Sequence, residues 1–215
     1  MEVSNRFDES TFSQIALDIE MQGYSIIPCG LPTDLADSLY LHQQKLEDEK
    51  FKNAGIGRGE EFLKNKSIRT DEICWITGES KAEMDWLNWS TELKKILNRR
   101  LFLGLFSFES HFSHYGSGDY YKKHYDAFRG ESNRVMSIVV YLNKDWKNTD
   151  GGELVLYNNN RDKQGIKIPP NWATIVTFLS DEFPHEVLPA HRDRYSIAGW
   201  FRVNSSTTNK VDPPL

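Results

Sequence analysis

His124-Tyr125-Asp126 is followed 61 residues later by His185, and nine residues after that by Arg194. Two neutral imidazoles and one carboxylate leave several positions open on a divalent metal. That is the ligand set of a non-haem iron(II) oxygenase, whereas a thiolate set would favour zinc. A guanidinium beyond the last histidine offers a planar fork for a carboxylate-bearing co-substrate. In a strand, residues i and i+2 point to one face, so His124 and Asp126 are expected side by side with Tyr125 turned away. A second His-x-Asp stands at His191-Arg192-Asp193. No histidine follows it to complete a trio in the same order, and Leu188-Pro189-Ala190 before it is turn-like, so it reads as a solvated hairpin tip.

Strands able to hold those side chains recur from residue 105 onward, as short alternating stretches separated by turn clusters: 106–114, 121–126, 135–143, 152–158, 165–168, 173–179, 185–188 and 194–203. Eight short strands at this spacing predict a double-sheet, cupin-like jelly roll rather than a parallel sheet. In the last of them Arg194, Ser196, Ala198 and Trp200 fall at even spacing and share the interior face. The first hundred residues carry helical periodicity instead. Helices are expected over 11–21, 34–50 and 82–102, with a short strand at 24–28. The second helix would carry Leu35, Leu39 and Leu46 on one face, and the third an apolar core stripe of Trp86, Trp89, Leu93 and Ile96.

The fold class is therefore mainly β with packing helices (α+β). Residues 1–104 form helices, first strands and a lid, 105–203 the jelly-roll core, and 204–215 a polar tail that frays. The lid is read over 52–70, where Gly55, Gly57 and Gly59 precede a charged run and the stretch is badly suited to a core. No Gly-Lys-Ser/Thr follows those glycines, which argues against a phosphate cradle.

The chain has 215 residues, 26 basic and 31 acidic, for a net charge of −5, and 13% of its residues are aromatic. That suits one domain with a sizeable core and argues against disorder. With no basic tract, neither nucleic acid nor an anionic membrane is the expected partner. The apolar runs are strand-sized and the acidic first residues lack the order of a signal peptide, so a cytoplasmic location is expected. Cys29 and Cys74 are too few for a disulfide framework or a thiolate metal site.

Tyr115-x-x-Gly118-x-x-Tyr121-x-x-His124-x-Asp126, Tyr141-Leu142-Asn143-Lys144-Asp145-Trp146, Gly151-Gly152-Glu153-Leu154, Pro184-His185-Glu186-Val187 and Arg194-Tyr195 resemble the prolyl 4-hydroxylase branch of the 2-oxoglutarate- and Fe(II)-dependent dioxygenases. Ile68-Arg69-Thr70-Asp71-Glu72-Ile73-Cys74-Trp75-Ile76 is similar to a segment of the hypoxia-inducible-factor-type, or oxygen-sensing, prolyl hydroxylases. The match spans 68–202. This resemblance implies that His124, Asp126 and His185 hold Fe(II), where O2 and 2-oxoglutarate bind. It also implies that Arg194 and Tyr141 take the C5 carboxylate with Tyr115 beside the co-substrate. Trp200 and Arg134 would face the substrate, and Arg69 would pair with Asp71 at the base of a lid that closes over a peptide.

The implied reaction hydroxylates the 4-position of a proline in an extended protein segment, with decarboxylation of 2-oxoglutarate to succinate and CO2 and with ascorbate in support. Animal relatives act on a transcription factor, and bacterial relatives are associated with a translation elongation factor. Two other readings stay open. One is the same chemistry on another side chain or a free small molecule; the other is a cupin-like module that binds metal without turnover.

Overall fold

The computed structural model of the protein describes residues 9–46, 51–54, 67–127 and 133–206. Gly55, Gly57 and Gly59 of the expected lid, and most of the expected tail, lie outside the described residues. The chain begins with α1 (Glu9–Gln22), β1 (Tyr24–Ile27), α2 (Thr33–Gln43), β2 (Lys52–Asn53), β3 (Glu72–Trp75) and α3 (Lys81–Leu101). Eight strands follow, each overlapping one expected from the alternation: β4 (Ser107–Tyr115), β5 (Tyr121–His124), β6 (Arg134–Tyr141), β7 (Leu154–Leu156), β8 (Ile166–Ile168), β9 (Ile175–Leu179), β10 (His185–Val187) and β11 (Arg194–Arg202).

These strands close a double-stranded β-helix. The larger sheet runs β1-β9-β6-β11-β4-β3-β2 and the smaller one β5-β10-β7-β8, every pair antiparallel. The helices cover the outer face of the larger sheet. There Phe108, Ser110 and Phe112 alternate outward along β4, and the Trp86 indole donates to Ser110 Oγ at 3.0 Å. Trp86 and Trp89 stack with centroids 5.4 Å apart and are fully buried. Ser80 caps α3 by accepting from the Glu83 N–H at 3.1 Å, and Phe102 ends it with a left-handed backbone (φ 54°). Among the described residues no helix is long and apolar enough to cross a membrane.

Three expectations need correction. The second helix stops at Gln43, not at 50, because the buried Gln43 amide donates to the Ser113 carbonyl at 3.4 Å and the chain tightens into a turn that carries Leu46 off the helix. The expected lid does not begin at 52, since Lys52 and Asn53 pair with Ile73 and Glu72 as an edge strand and Ala54 is buried behind them. Finally, Asp126 is not on a strand. β5 ends at His124 because its partner β10 begins opposite it, at His185, and no strand among the described residues pairs with 125–126.

Candidate active site

Pairing of β10 with β5 sets His185 directly opposite His124. The bend after β5 then swings Asp126 between them. Its Oδ1 lies 3.7 Å from His124 Nε2 and its Oδ2 3.6 Å from His185 Nε2. One donor atom from each of the three falls within 4.8 Å of the other two. The Nδ1 edges are already engaged, His124 with the Lys122 carbonyl at 2.7 Å and His185 with the Phe183 carbonyl at 3.1 Å. A carbonyl only accepts, so Nδ1 carries the hydrogen and Nε2 keeps the lone pair a cation requires.

Asp126 Oδ2 also accepts from Ser137 Oγ at 2.6 Å, and Ser137 lies 2.9 Å from Ser180 Oγ. Burial would raise the Asp126 carboxyl, but the His185 and His124 rings and Arg134 hold it well below the usual carboxylate range. Burial also pushes His185 down to about 4, against the pull of Asp126. An ionised carboxylate and a neutral imidazole are the forms that bind a metal, so the donor set fits a 2-His-1-carboxylate iron site.

Arg194 opens β11 and is 1% exposed. Its Nε donates to the Gly152 carbonyl at 2.9 Å and its Nη1 to Ser196 Oγ at 3.2 Å, yet among the described residues no carboxylate pairs with it. The guanidinium carbon stands 4.9 Å from the Tyr115 ring centroid and 5.1 Å from that of Tyr141. Tyr141 Oη is buried without a hydrogen-bond partner. Burial pushes that phenol up to about 12, and Tyr115 well above its ordinary value, so both remain neutral donors. An uncompensated buried cation beside an unsatisfied hydroxyl is costly unless an acceptor arrives. A carboxylate is the chemistry that satisfies both.

Register explains how the rest converge. Opposed residues of an antiparallel pair share a face. Arg194 lies opposite Tyr115; Ser196 opposite Ser113 and Tyr141; Ala198 opposite His111 and Val139; Trp200 opposite Glu109 and Ser137. All of this row but Tyr141 and Glu109 lines one wall of a cavity of about 310 Å³ whose opposite wall carries the His124, Asp126 and His185 trio. At the Trp200 end, the Arg134 guanidinium lies 3.5 Å over the indole and is held by Glu109 Oε1 at 2.8 Å. Arg69 grips Asp71 through two bonds of 2.7 and 2.6 Å and stands 4.2 Å over the Tyr121 ring.

Every residue singled out from the sequence for the site therefore reaches this cavity or, like Asp71 and Tyr141, packs against one that does. Tyr125 borders this cavity and a second one with Ala127, Asn158 and Phe183. His191 stays on the surface, and Asp193 beside it engages His114 Nε2 at 3.1 Å instead. Sequence reasoning missed His111, Ser113, Ser137, Trp75 and Glu109. A signal was present: Glu109, His111 and Ser113 lie in phase with Tyr115.

Comparison with known proteins agrees with this geometry. Residues 110–202 match the profile of the 2OG-Fe(II) oxygenase superfamily. Human Egl nine homolog 1 is 32% identical over 145 residues, covering 64% of this chain and 34% of that protein, so the chain spans about a third of the length of that curated relative. A Pseudomonas putida prolyl-4-hydroxylase superposes with a TM-score of 0.80 at 35% identity, over 90% of this chain and 100% of that one. A prolyl hydroxylase from Trichoplax adhaerens, solved with a hypoxia inducible factor oxygen degradation domain peptide fragment, gives 0.76 at 27% identity over 90% of each chain. Full-length agreement with the Pseudomonas enzyme, on top of the superfamily profile, shows that the chain belongs to the 2OG-Fe(II) oxygenases, in their prolyl hydroxylase branch.

Proposed function

We propose that this protein is an Fe(II)- and 2-oxoglutarate-dependent dioxygenase that hydroxylates the 4-position of a proline in an extended segment of a protein substrate. One observation carries the reading. A single cavity holds a metal-ready His124, Asp126 and His185 trio facing a buried Arg194 that pairs with no carboxylate among the described residues, beside a Tyr141 hydroxyl with no partner.

In this reading the trio holds iron through His124 Nε2, Asp126 and His185 Nε2. Arg194 and Tyr141 hold the C5 carboxylate of 2-oxoglutarate, and Tyr115 borders the bound co-substrate. Iron with O2 supplies the oxidation that inserts one oxygen atom into the substrate C–H bond and the other into succinate as CO2 leaves. The chain's own share is positioning and exclusion of water. Ser137 fixes the carboxylate plane of Asp126, and the Nδ1–H bonds fix both imidazoles. Trp200, held under Arg134, offers the flat apolar surface for the prolyl ring. Arg69 and Asp71 brace the start of β3, where the segment preceding it returns to the sheet.

The test is to incubate the protein with Fe(II), 2-oxoglutarate and proline-containing peptides, following succinate and a mass gain of about 16 Da on proline. His185→Ala should abolish both signals and weaken iron binding, while His191→Ala should leave them intact; equal loss in the two variants would overturn the metal assignment. Succinate without modified proline would place the chemistry on another side chain or a small molecule. No succinate from iron-loaded protein would leave only a metal-binding module.

A further inference from the structure

His111 takes no part in the assignments above, yet it is 3% exposed and lines the cavity. Register sets it beside Ala198 of β11 and Trp75 of β3, one inward-facing step along the sheet from Trp200 and Ser137. Ser137 is the residue whose hydroxyl holds Asp126. The imidazole therefore stands at about the depth of the metal trio, on the opposite wall, between the Arg194 end and the Trp200 indole. Ring contacts with Trp75 and Trp200, at centroid distances of 5.2 and 5.4 Å, fix its plane.

Its Nδ1 edge is occupied, 3.3 Å from the Phe112 carbonyl and 3.1 Å from Ser113 Oγ. Because that carbonyl only accepts, Nδ1 carries the hydrogen, and Nε2 is left with a lone pair. No donor among the described residues engages Nε2. Burial, helped by the Arg69 charge, pushes the ring down to about 4 and keeps it neutral. Two unpaired polar groups nearby, the Trp200 indole N–H at the cavity and the Tyr141 hydroxyl beside Arg194, can donate. An acceptor between two indoles is thus the exception, and it calls for a donor on the substrate.

We propose that His111 is a specificity-determining residue whose Nε2 accepts a hydrogen bond from the backbone N–H of the residue that follows the target proline. This rests on the peptidyl-prolyl reading above. A prolyl residue has no N–H of its own, and the amide after its carbonyl is the donor fewest bonds from its ring. The preferred substrate is therefore Pro-X with X other than proline. A Pro-Pro step would leave Nε2 buried and unpaired, the situation in which a polar site rejects a near-isosteric ligand.

The test compares an extended peptide carrying Pro-Ala with its counterpart methylated on the alanine nitrogen. Wild-type protein should show about a tenfold rise in KM on methylation. His111→Phe, which keeps a ring against both indoles, should bind the unmethylated peptide about tenfold worse and distinguish the two only by what the bulk of the methyl group costs. His111→Gln, whose side-chain oxygen can replace Nε2, should recover part of the discrimination. The bulk of the methyl group handicaps both proteins alike, so the difference between them isolates the bond. Peptide-independent succinate formation should persist in all three. If wild-type protein hydroxylates both peptides equally, or if His111→Phe distinguishes them as strongly as wild type does, the inference is overturned while the prolyl hydroxylase reading stands. If wild-type protein forms succinate but hydroxylates neither, that reading fails and takes the inference with it.

Discussion

Arg194 is the side chain whose loss should be read most directly. Truncating one member of a buried charge pair costs roughly 2–5 kcal/mol, so Arg194→Ala should raise the 2-oxoglutarate requirement by about 30-fold or more. Arg194→Lys should retain part of the affinity, keeping charge but losing the fork. Titration of 2-oxoglutarate against the protein loaded with a redox-silent metal measures both, and unchanged affinity in the alanine variant would move the anchor elsewhere. Ser137→Ala is expected to weaken metal binding by about 10-fold or more without unfolding the protein, because it frees Asp126 Oδ2 from its 2.6 Å bond. The trio, Arg194 and Trp200 were legible in the sequence because their types are chemically rare and their spacing is even. His111, Ser113 and Ser137 were not. Serine and histidine in a strand carry no signal of their own: for His111 and Ser113 only their phase with Tyr115 pointed inward, and for Ser137 nothing did until a neighbouring strand fixed its face.

Element by element, the eight jelly-roll strands were legible from alternation and the three helices from their apolar stripes. The phase of β4 was not. A strand is expected to turn its apolar side chains toward the barrel, but here Phe108 and Phe112 turn outward to the helices while His111, Ser113 and Tyr115 line the cavity and Glu109, in phase with them, holds Arg134. Both faces are covered, so hydrophobicity alone cannot choose between them. β2 and β3 were missed for a different reason: β2 is a two-residue edge strand, and β3 beside it alternates no apolar and polar residues over Glu72–Trp75. Asp126 was placed on a strand that ends two residues earlier, since where β5 stops depends on where β10 begins. One loop has a sharp requirement. Gly152 holds φ at 70°, its carbonyl receives Arg194 Nε, and an added Cβ would lie 3.2 Å from Arg194 Cδ and 3.0 Å from Ala190 Cβ. Gly152→Ala should therefore destabilise the fold by about 1–2 kcal/mol and also weaken 2-oxoglutarate binding. Denaturant midpoints and co-substrate titration check the two effects separately.

For the molecule as a whole, buried neutral histidines set the acid limit. His111 titrates near 4 when folded against an ordinary value of 6.5. Between those pH values the unfolded chain takes up a proton that the folded chain refuses, so stability falls as pH drops through the window and levels off below it. The loss attributable to His111 is on the order of 3 kcal/mol. Urea unfolding of metal-free protein at pH 7 and pH 4.5 should show a smaller drop for His111→Phe than for wild type, with His185 supplying part of what remains. The two sheets are separate ladders, and the cavity lies in the seam between them: His124 and His185 belong to the smaller, Arg194, Tyr141 and Trp200 to the larger. A co-substrate chelated at one wall and anchored at the other would act as a clasp across that seam, lowering the compliance of the sandwich. Amide hydrogen exchange in β5 and β10 should then slow more when 2-oxoglutarate joins a redox-silent metal than when the metal binds alone, and Arg194→Ala should erase that second increment.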